Sequence, residues 1–129
     1  MCEVISDSTY GYPLNAWEQT KKEAIRAILT ESSKGPVSYS DLAKRIRRIH
    51  FDPHDYAFPH PLGQISVEED AAGRGMLTVL VVRQEDGMPG SGFFDLAQRM
   101  GRDVRDKERC WSDEAKLVLS HSPNHPLAA

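Results

Sequence analysis

The stretch Val37-Ser38-Tyr39-Ser40-Asp41-Leu42-Ala43, followed by Leu62-Gly63-Gln64-Ile65-Ser66 and then by Met76-Leu77-Thr78-Val79-Leu80-Val81-Val82, constrains this chain more than any other feature. Ser38 with Asp41 forms an approximate capping box for a short helix that turns Leu42, Ala43 and Ile46 inward. Pro61 suits the first turn of a further helix, where its missing N–H costs nothing; Leu62, Ile65 and Val67 supply its inward contacts and Gly73 ends it. The valine-rich run from Met76 to Arg83 reads as a buried strand, and Asp86-Gly87 and Pro89-Gly90 as turn signals before a return strand at Gly92-Phe93-Phe94. Helix, helix, strand, turn and strand in this order form the pattern of a winged helix-turn-helix. The expected fold class is therefore mainly α with a small β wing (α+β).

The flanks extend this unit without adding a second one. A helix from Asn15 to about Glu31 is expected, capped by Asn15 with Glu18, with Trp17, Ala24, Ile25, Ile28 and Leu29 on one stripe and Gly35-Pro36 as the stop. A short helix from Asp95 to Met100, ended by Gly101, precedes a last helix from Asp106 to His121 that presents Cys110, Trp111, Ala115, Val118 and Leu119. The expected organisation is an irregular arm over 1–14, a single domain over 15–121 and a flexible tail over 122–129. A length of 129 residues with 40% apolar content suits one domain with one core. The run from Leu77 to Val82 is far shorter than the ~20 residues a membrane helix needs. Met1 to Tyr10 contains Glu3 and Asp7 and no apolar signal region, so a cytoplasmic protein without membrane contact is expected.

Charge divides the chain unevenly. The net charge of -3 and pI near 5.9 argue against tight non-specific nucleic-acid binding. Yet Lys34, Lys44, Arg45, Arg47 and Arg48 cluster against a single acid, Asp41, and a more diluted basic region holds Arg99, Arg102, Arg105, Lys107 and Arg109 among acids. Charged helix faces of this kind are also ordinary solvated surface.

Catalytic patterns are weak. Cys2 and Cys110 make neither a disulfide framework nor a Cys-x-x-Cys pair. His50, Asp52, His54, Asp55 and His60 are imidazoles and carboxylates that suit a transition metal, but they match no helical ligand spacing and lie in a proline-broken stretch. Ser66 beside Glu68 and Glu69 is a nucleophile with carboxylates only superficially, Gly90-Ser91-Gly92 is not a nucleophile elbow, and no lysine follows Gly87, Gly90 and Gly92 as a phosphate loop requires. No enzyme, metal or cofactor is expected.

Gly35-Pro36-Val37-Ser38-Tyr39-Ser40-Asp41-Leu42-Ala43, Pro61-Leu62-Gly63, the hydrophobic run and Asp86-Gly87 to Gly92-Phe93 together resemble the winged-helix domain of O6-alkylguanine-DNA alkyltransferases and their catalytically dead alkyltransferase-like relatives. The resemblance covers roughly residues 17 to 95. It implies that Tyr39 sits at a DNA phosphate and that Gly63 is the recognition-helix glycine, with His60 near the place of the family's arginine finger. Where the family has Pro-Cys-His-Arg, this chain has Leu77 to Val82 and no thiol, so alkyl transfer lacks its nucleophile.

Two functions remain. In a winged-helix DNA-binding protein, possible in a regulatory role, Tyr39, Ser40 and Lys44 touch phosphates beside the basic Arg45, Arg47 and Arg48. Gln64 and Ser66 face the groove with His60 nearby, and Arg83 with the Met88 to Ser91 turn forms the wing on duplex DNA. Glu68-Glu69-Asp70 at the end of the recognition helix counts against it, because three like charges repel phosphate. The alternative is a docking module for a partner protein, with Phe51, Tyr56, Phe58, Met88 and Phe93 as anchors.

Overall fold

The computed structural model describes residues 12–49 and 59–128. Among these, the molecule is mainly helical with a small sheet of two strands. Helix α1 (Leu14–Glu31) opens after Pro13 without a side-chain cap; Asn15 lies inside its first turn, its Oδ1 accepting from Ala16 N at 2.9 Å, so the expected Asn15 cap is not formed. Its apolar stripe is as expected, with Trp17, Ala24, Ile25 and Ile28 buried, but Thr20 and Lys21 are buried on the same face. Lys21 tolerates this because its ammonium meets Glu68 at 2.8 Å and Glu18 at 3.2 Å.

Strand β1 (Val37–Ser38) leads directly into α2 (Tyr39–Arg45). Ser38 is the N-cap, its hydroxyl accepting from Asp41 N at 3.1 Å, and Leu42, Ala43 and Ile46 are buried. Helix α3 (Pro59–Ala71) follows, with Pro61 in its first turn and Leu62 and Ile65 buried. Val67 is 46% exposed and not an inward contact. Gly73, at φ +84°, closes α3 as a Schellman motif: Arg74 N donates to Glu69 O at 3.0 Å and Gly73 N to Asp70 O at 2.9 Å. Helix α1 packs against both α2 and α3.

The expected long strand and its return do not form. Leu77–Leu80 is a 3-10 turn, and only Val81–Val82 is a strand, β2, which pairs parallel to β1 with Val37 opposite Val81. Met76 to Val82 is buried along its whole length, as a buried strand would be, so each of its backbone N–H and C=O groups needs a partner within the protein. The 3-10 turn instead satisfies its own N–H groups, as in Val79 N to Met76 O at 3.0 Å, while neighbouring side chains supply the rest. Glu114 accepts from Met76 N at 2.8 Å, Ser66 accepts from Thr78 N at 3.2 Å, and Trp111 Nε1 donates to Val79 O at 3.2 Å.

Gly92, Phe93 and Phe94, expected as the return strand, belong to α4 (Ser91–Arg99), because Phe93, Ala97 and Met100 keep helical spacing and all pack on the core. The last helix, α5 (Lys107–His121), is capped by Asp106, whose carboxylate accepts from Arg109 N at 3.1 Å. Cys110, Ala115 and Val118 are buried, Trp111 is half-buried and Leu119 is exposed. After α5, Ser122–Asn124 form a second 3-10 turn and His125 is buried, hydrogen-bonded to the carboxylate of Glu69. No helix among the described residues is long and apolar enough to cross a membrane.

Candidate nucleic-acid interface

A cleft of about 1240 Å³ opens between the start of α2, the N-terminal half of α3, the Arg83-Gln84-Glu85 loop and the first turns of α4. Tyr39, Ser40, His60, Gln64 and Arg83, five of the residues expected at nucleic acid, all line it. The remaining five are elsewhere. Ser66 is fully buried on the inner side of α3, hydrogen-bonded to the Thr78 hydroxyl, so it cannot face a groove. Lys44, Arg45, Arg47 and Arg48 are exposed but do not line the cleft. Three of them lie by the acids of α1: Arg45 pairs with Glu31 at 2.7 Å, and Glu23 accepts from the backbone N–H groups of Arg47 and Arg48 at 3.1 and 2.9 Å.

Tyr39 ties two walls of the cleft together. Ser38 caps α2 so that the next residue projects from its first turn, and the Tyr39 hydroxyl accepts from Gly90 N at 2.9 Å. A Cβ at Gly90 would approach that hydroxyl to 3.4 Å, so a glycine suits this close approach. Burial pushes the phenol above its ordinary value, opposed by the Gly90 bond and the Arg83 charge, and it therefore carries its proton at neutral pH. The first turn of α4 starts at this point. Gly90 caps it without a side-chain bond, so the N–H groups of Ser91 and Gly92 lie at the cleft at the positive end of the helix dipole.

Gln64 is held from the opposite side, its Oε1 accepting from Trp17 Nε1 at 2.7 Å and from Lys21 Nζ at 3.3 Å. The Trp17 ring in turn stacks on Tyr12 at 5.8 Å. Leu62, Val67, Phe93 and Leu96 give the walls an apolar character. Cations and anions balance around them: Arg83 and Arg99 against Glu68 and Glu85. Arg83 is paired with Asp86, whose carboxyl the guanidinium holds below its ordinary range, and Glu68 with Lys21.

No family model, curated protein or solved structure matches this chain.

The cleft also contains groups the sequence pattern did not single out as binding residues. Arg99 and Leu96 enter it because α4 begins at Ser91 and runs through to Arg99, and the signal was there: the spacing of Phe93, Ala97 and Met100 extends the helix backward through the assumed strand. Thr78, in the 3-10 turn, also lines the cleft. The Cys110 thiol is buried, and that burial, with Glu114 beside it, raises its pKa away from nucleophilic use. Among the described residues no cluster of three or more His, Cys, Asp or Glu side chains is placed to hold a metal. His50, Asp52, His54, Asp55 and the aromatic anchors Phe51, Tyr56 and Phe58 lie outside the described residues, as does Cys2.

Proposed function

We propose that this chain is a non-enzymatic DNA-binding protein that engages duplex DNA through the cleft, with α2 and α3 as the helix-turn-helix pair and the loop from Arg83 to Gly90 in place of the wing. The observation that carries this reading is the convergence of Tyr39, Ser40, His60, Gln64 and Arg83 on one cleft together with the N-terminal turn of α4. A neutral phenol, the first N–H groups of α4 and two guanidinium groups are donors of the kind that a phosphate backbone accepts from. Tyr39 and Gly63, which carry the resemblance to the alkyltransferase-like proteins, both line the cleft, and this supports the same reading. The contact surface is moved relative to the sequence expectation: Arg45, Arg47 and Arg48 stand by the acids of α1 and contribute at most to the long-range field.

Fluorescence anisotropy of a labelled duplex across a salt series tests this. The parent protein binds at ~50 mM salt and weakens steeply as salt rises. Arg83→Ala with Arg99→Ala reduces the slope of log affinity against log salt by roughly 2, whereas the triple alanine variant of Arg45, Arg47 and Arg48 changes it less. A double variant that binds like the parent overturns the cleft as the interface.

A partner protein is the second reading, favoured by the balanced charges and by apolar Leu62, Val67, Phe93 and Leu96 in the same cleft. Absence of duplex binding by the parent at ~50 mM salt would transfer the cleft to that reading.

A further inference from the structure

Gln64 meets two groups that can only donate. The Trp17 Nε1 lies 2.7 Å and the Lys21 Nζ 3.3 Å from one and the same amide atom. Neither an indole N–H nor an ammonium has a lone pair to offer, so that atom is the oxygen and the amide cannot be turned over. The two donors fill both lone pairs of Oε1.

Both donors are buried, Trp17 at 1% and Lys21 at 4% exposure, so moving the oxygen away from them would break hydrogen bonds in the interior. The ammonium is itself fixed, because its three N–H groups are divided among Gln64, Glu68 at 2.8 Å and Glu18 at 3.2 Å. Gln64 also lines the cleft. What it brings to a ligand there is its nitrogen, which carries two N–H groups, and one of these is enough to meet an acceptor.

We propose that Gln64 sets the base preference of the cleft and reads as a donor alone, selecting guanine; this rests on the reading of the cleft as the DNA interface. A glutamine with both amide ends at its disposal pairs with adenine, its oxygen accepting from N6 and its nitrogen donating to N7. With Oε1 committed to α1, that pairing is closed. Guanine presents two adjacent acceptors, O6 and N7, to the remaining N–H groups, thymine presents O4 alone, and adenine sets an N6 donor beside its N7. Cytosine turns its N4 donor toward the amide and ranks last.

Gln64→Glu tests this by exchanging one group. The carboxylate keeps an oxygen for Trp17 and Lys21 and brings an acceptor in place of the nitrogen, so preference passes from guanine to cytosine, whose N4 donor a carboxylate accepts. Bound duplexes are selected at ~50 mM salt from a pool randomised over one helical turn, about ten base pairs. The four bases at the position where the two proteins differ are then compared by fluorescence anisotropy. The parent binds the guanine duplex roughly fivefold or more tightly than the cytosine duplex, and Gln64→Glu reverses the order. In the parent, which needs no variant, the Gln64 side-chain N–H signals in nitrogen NMR shift on the selected duplex while the Trp17 indole N–H keeps its protection from hydrogen exchange. A selected base other than guanine at that position, the same preference in a folded Gln64→Glu protein, unmoved Gln64 N–H signals, or an indole that loses protection on binding overturns the inference and leaves DNA binding standing. A parent that binds no duplex overturns both.

Discussion

The two ends of α3 are built from the same helix and held by opposite means. The C-terminal end is bound by charge. Asp70 pairs with Arg102 at 2.6 Å and Arg102 with Glu114 at 3.0 Å, which joins α3, the turn after α4 and α5 through charge, while beside them Glu69 pairs with Arg74 and is hydrogen-bonded to His125 beyond α5. Toward the N-terminal end, where α3 borders the cleft, Gln64 is held by the ring of Trp17 and the ammonium of Lys21, Gly63 lies against Leu96 of α4 and Val67 is exposed. The lesson is a division of labour along one helix. Carboxylates that would repel a phosphate backbone, Glu69 and Asp70, are consumed as internal partners of guanidinium groups, so they are structural and do not face a ligand. The acidic run that counted against DNA binding in the sequence is thereby reduced at the cleft to Glu68, which Lys21 neutralises.

The strongest test of that contrast is Glu114→Ala. The side chain is 5% exposed, takes two bonds from Arg102 and accepts from Met76 N, so its loss leaves a guanidinium short of a partner and a buried N–H unpaired. A destabilisation of about 3–5 kcal/mol in denaturant melts is expected, with the DNA affinity of the folded protein unchanged. A cost below about 1 kcal/mol would mean that the network is surface decoration.

Acid should loosen the same end. The Arg102 hydrogen bond holds Asp70 below the ordinary carboxylate range, more than burial raises it. Burial acts on Glu69 in the upward direction, yet the bonds and charges of Arg74 and His125 bring it below its ordinary value. A carboxylate with a depressed folded pKa contributes stability that is present above its unfolded value, about pH 4, and is lost as pH falls through the folded one. Chemical melts between about pH 5 and about pH 2 should show this loss, and Asp70→Asn should show a shallower one. Equal slopes in the two proteins would remove Asp70 from the network.

On the cleft side the effects on stability shrink and those on binding grow. Tyr39→Phe deletes the acceptor of Gly90 N and should cost about 1 kcal/mol in a melt, together with weaker DNA binding, since Gly90 sets the start of α4. Full DNA affinity in a folded Tyr39→Phe protein would show that the α4 turn needs no such tether. Smallest in a melt is the Arg83→Ala and Arg99→Ala double variant, which should leave thermal unfolding unchanged because both side chains are exposed, and register only in the salt dependence described above.

How much of this was legible in the sequence varies element by element. Ser38 before Asp41 announced α2 because an N-cap is a contact within one turn, and Gly101 announced the end of α4 for the same reason: at φ +92° it closes a Schellman motif, with Arg102 N donating to Ala97 O at 2.9 Å. The α1 stripe was legible through its period, and Trp17 is only 1% exposed as that period implies. Of the site, Tyr39, Ser40, His60, Gln64 and Arg83 were named and do meet at one cleft, whereas Ser66 is buried and the basic cluster does not line it. Ser66 follows Ile65 by one residue, and sequence alone does not show that Thr78 lies beneath it to take its hydroxyl.

By itself the sequence determined the elements whose stabilising contacts are local: α1, α2, α3 and α5, the Ser38 cap, the Gly73 stop, and a mainly helical chain with little strand. Tertiary structure alone decided the rest. Met76 to Val82 has a strand composition, but the backbone N–H groups of Thr78 and Met76 are taken by Ser66 and Glu114, residues 12 and 38 positions away, and a 3-10 turn replaces most of the strand. The cleft and the ionic network are likewise made by side chains brought together from distant positions, as in Trp17 with Gln64 and Asp70 with Arg102. A local pattern can specify a cap or a stripe because its partners lie within a turn or two; which distant polar group meets a buried N–H is decided only when the helices pack.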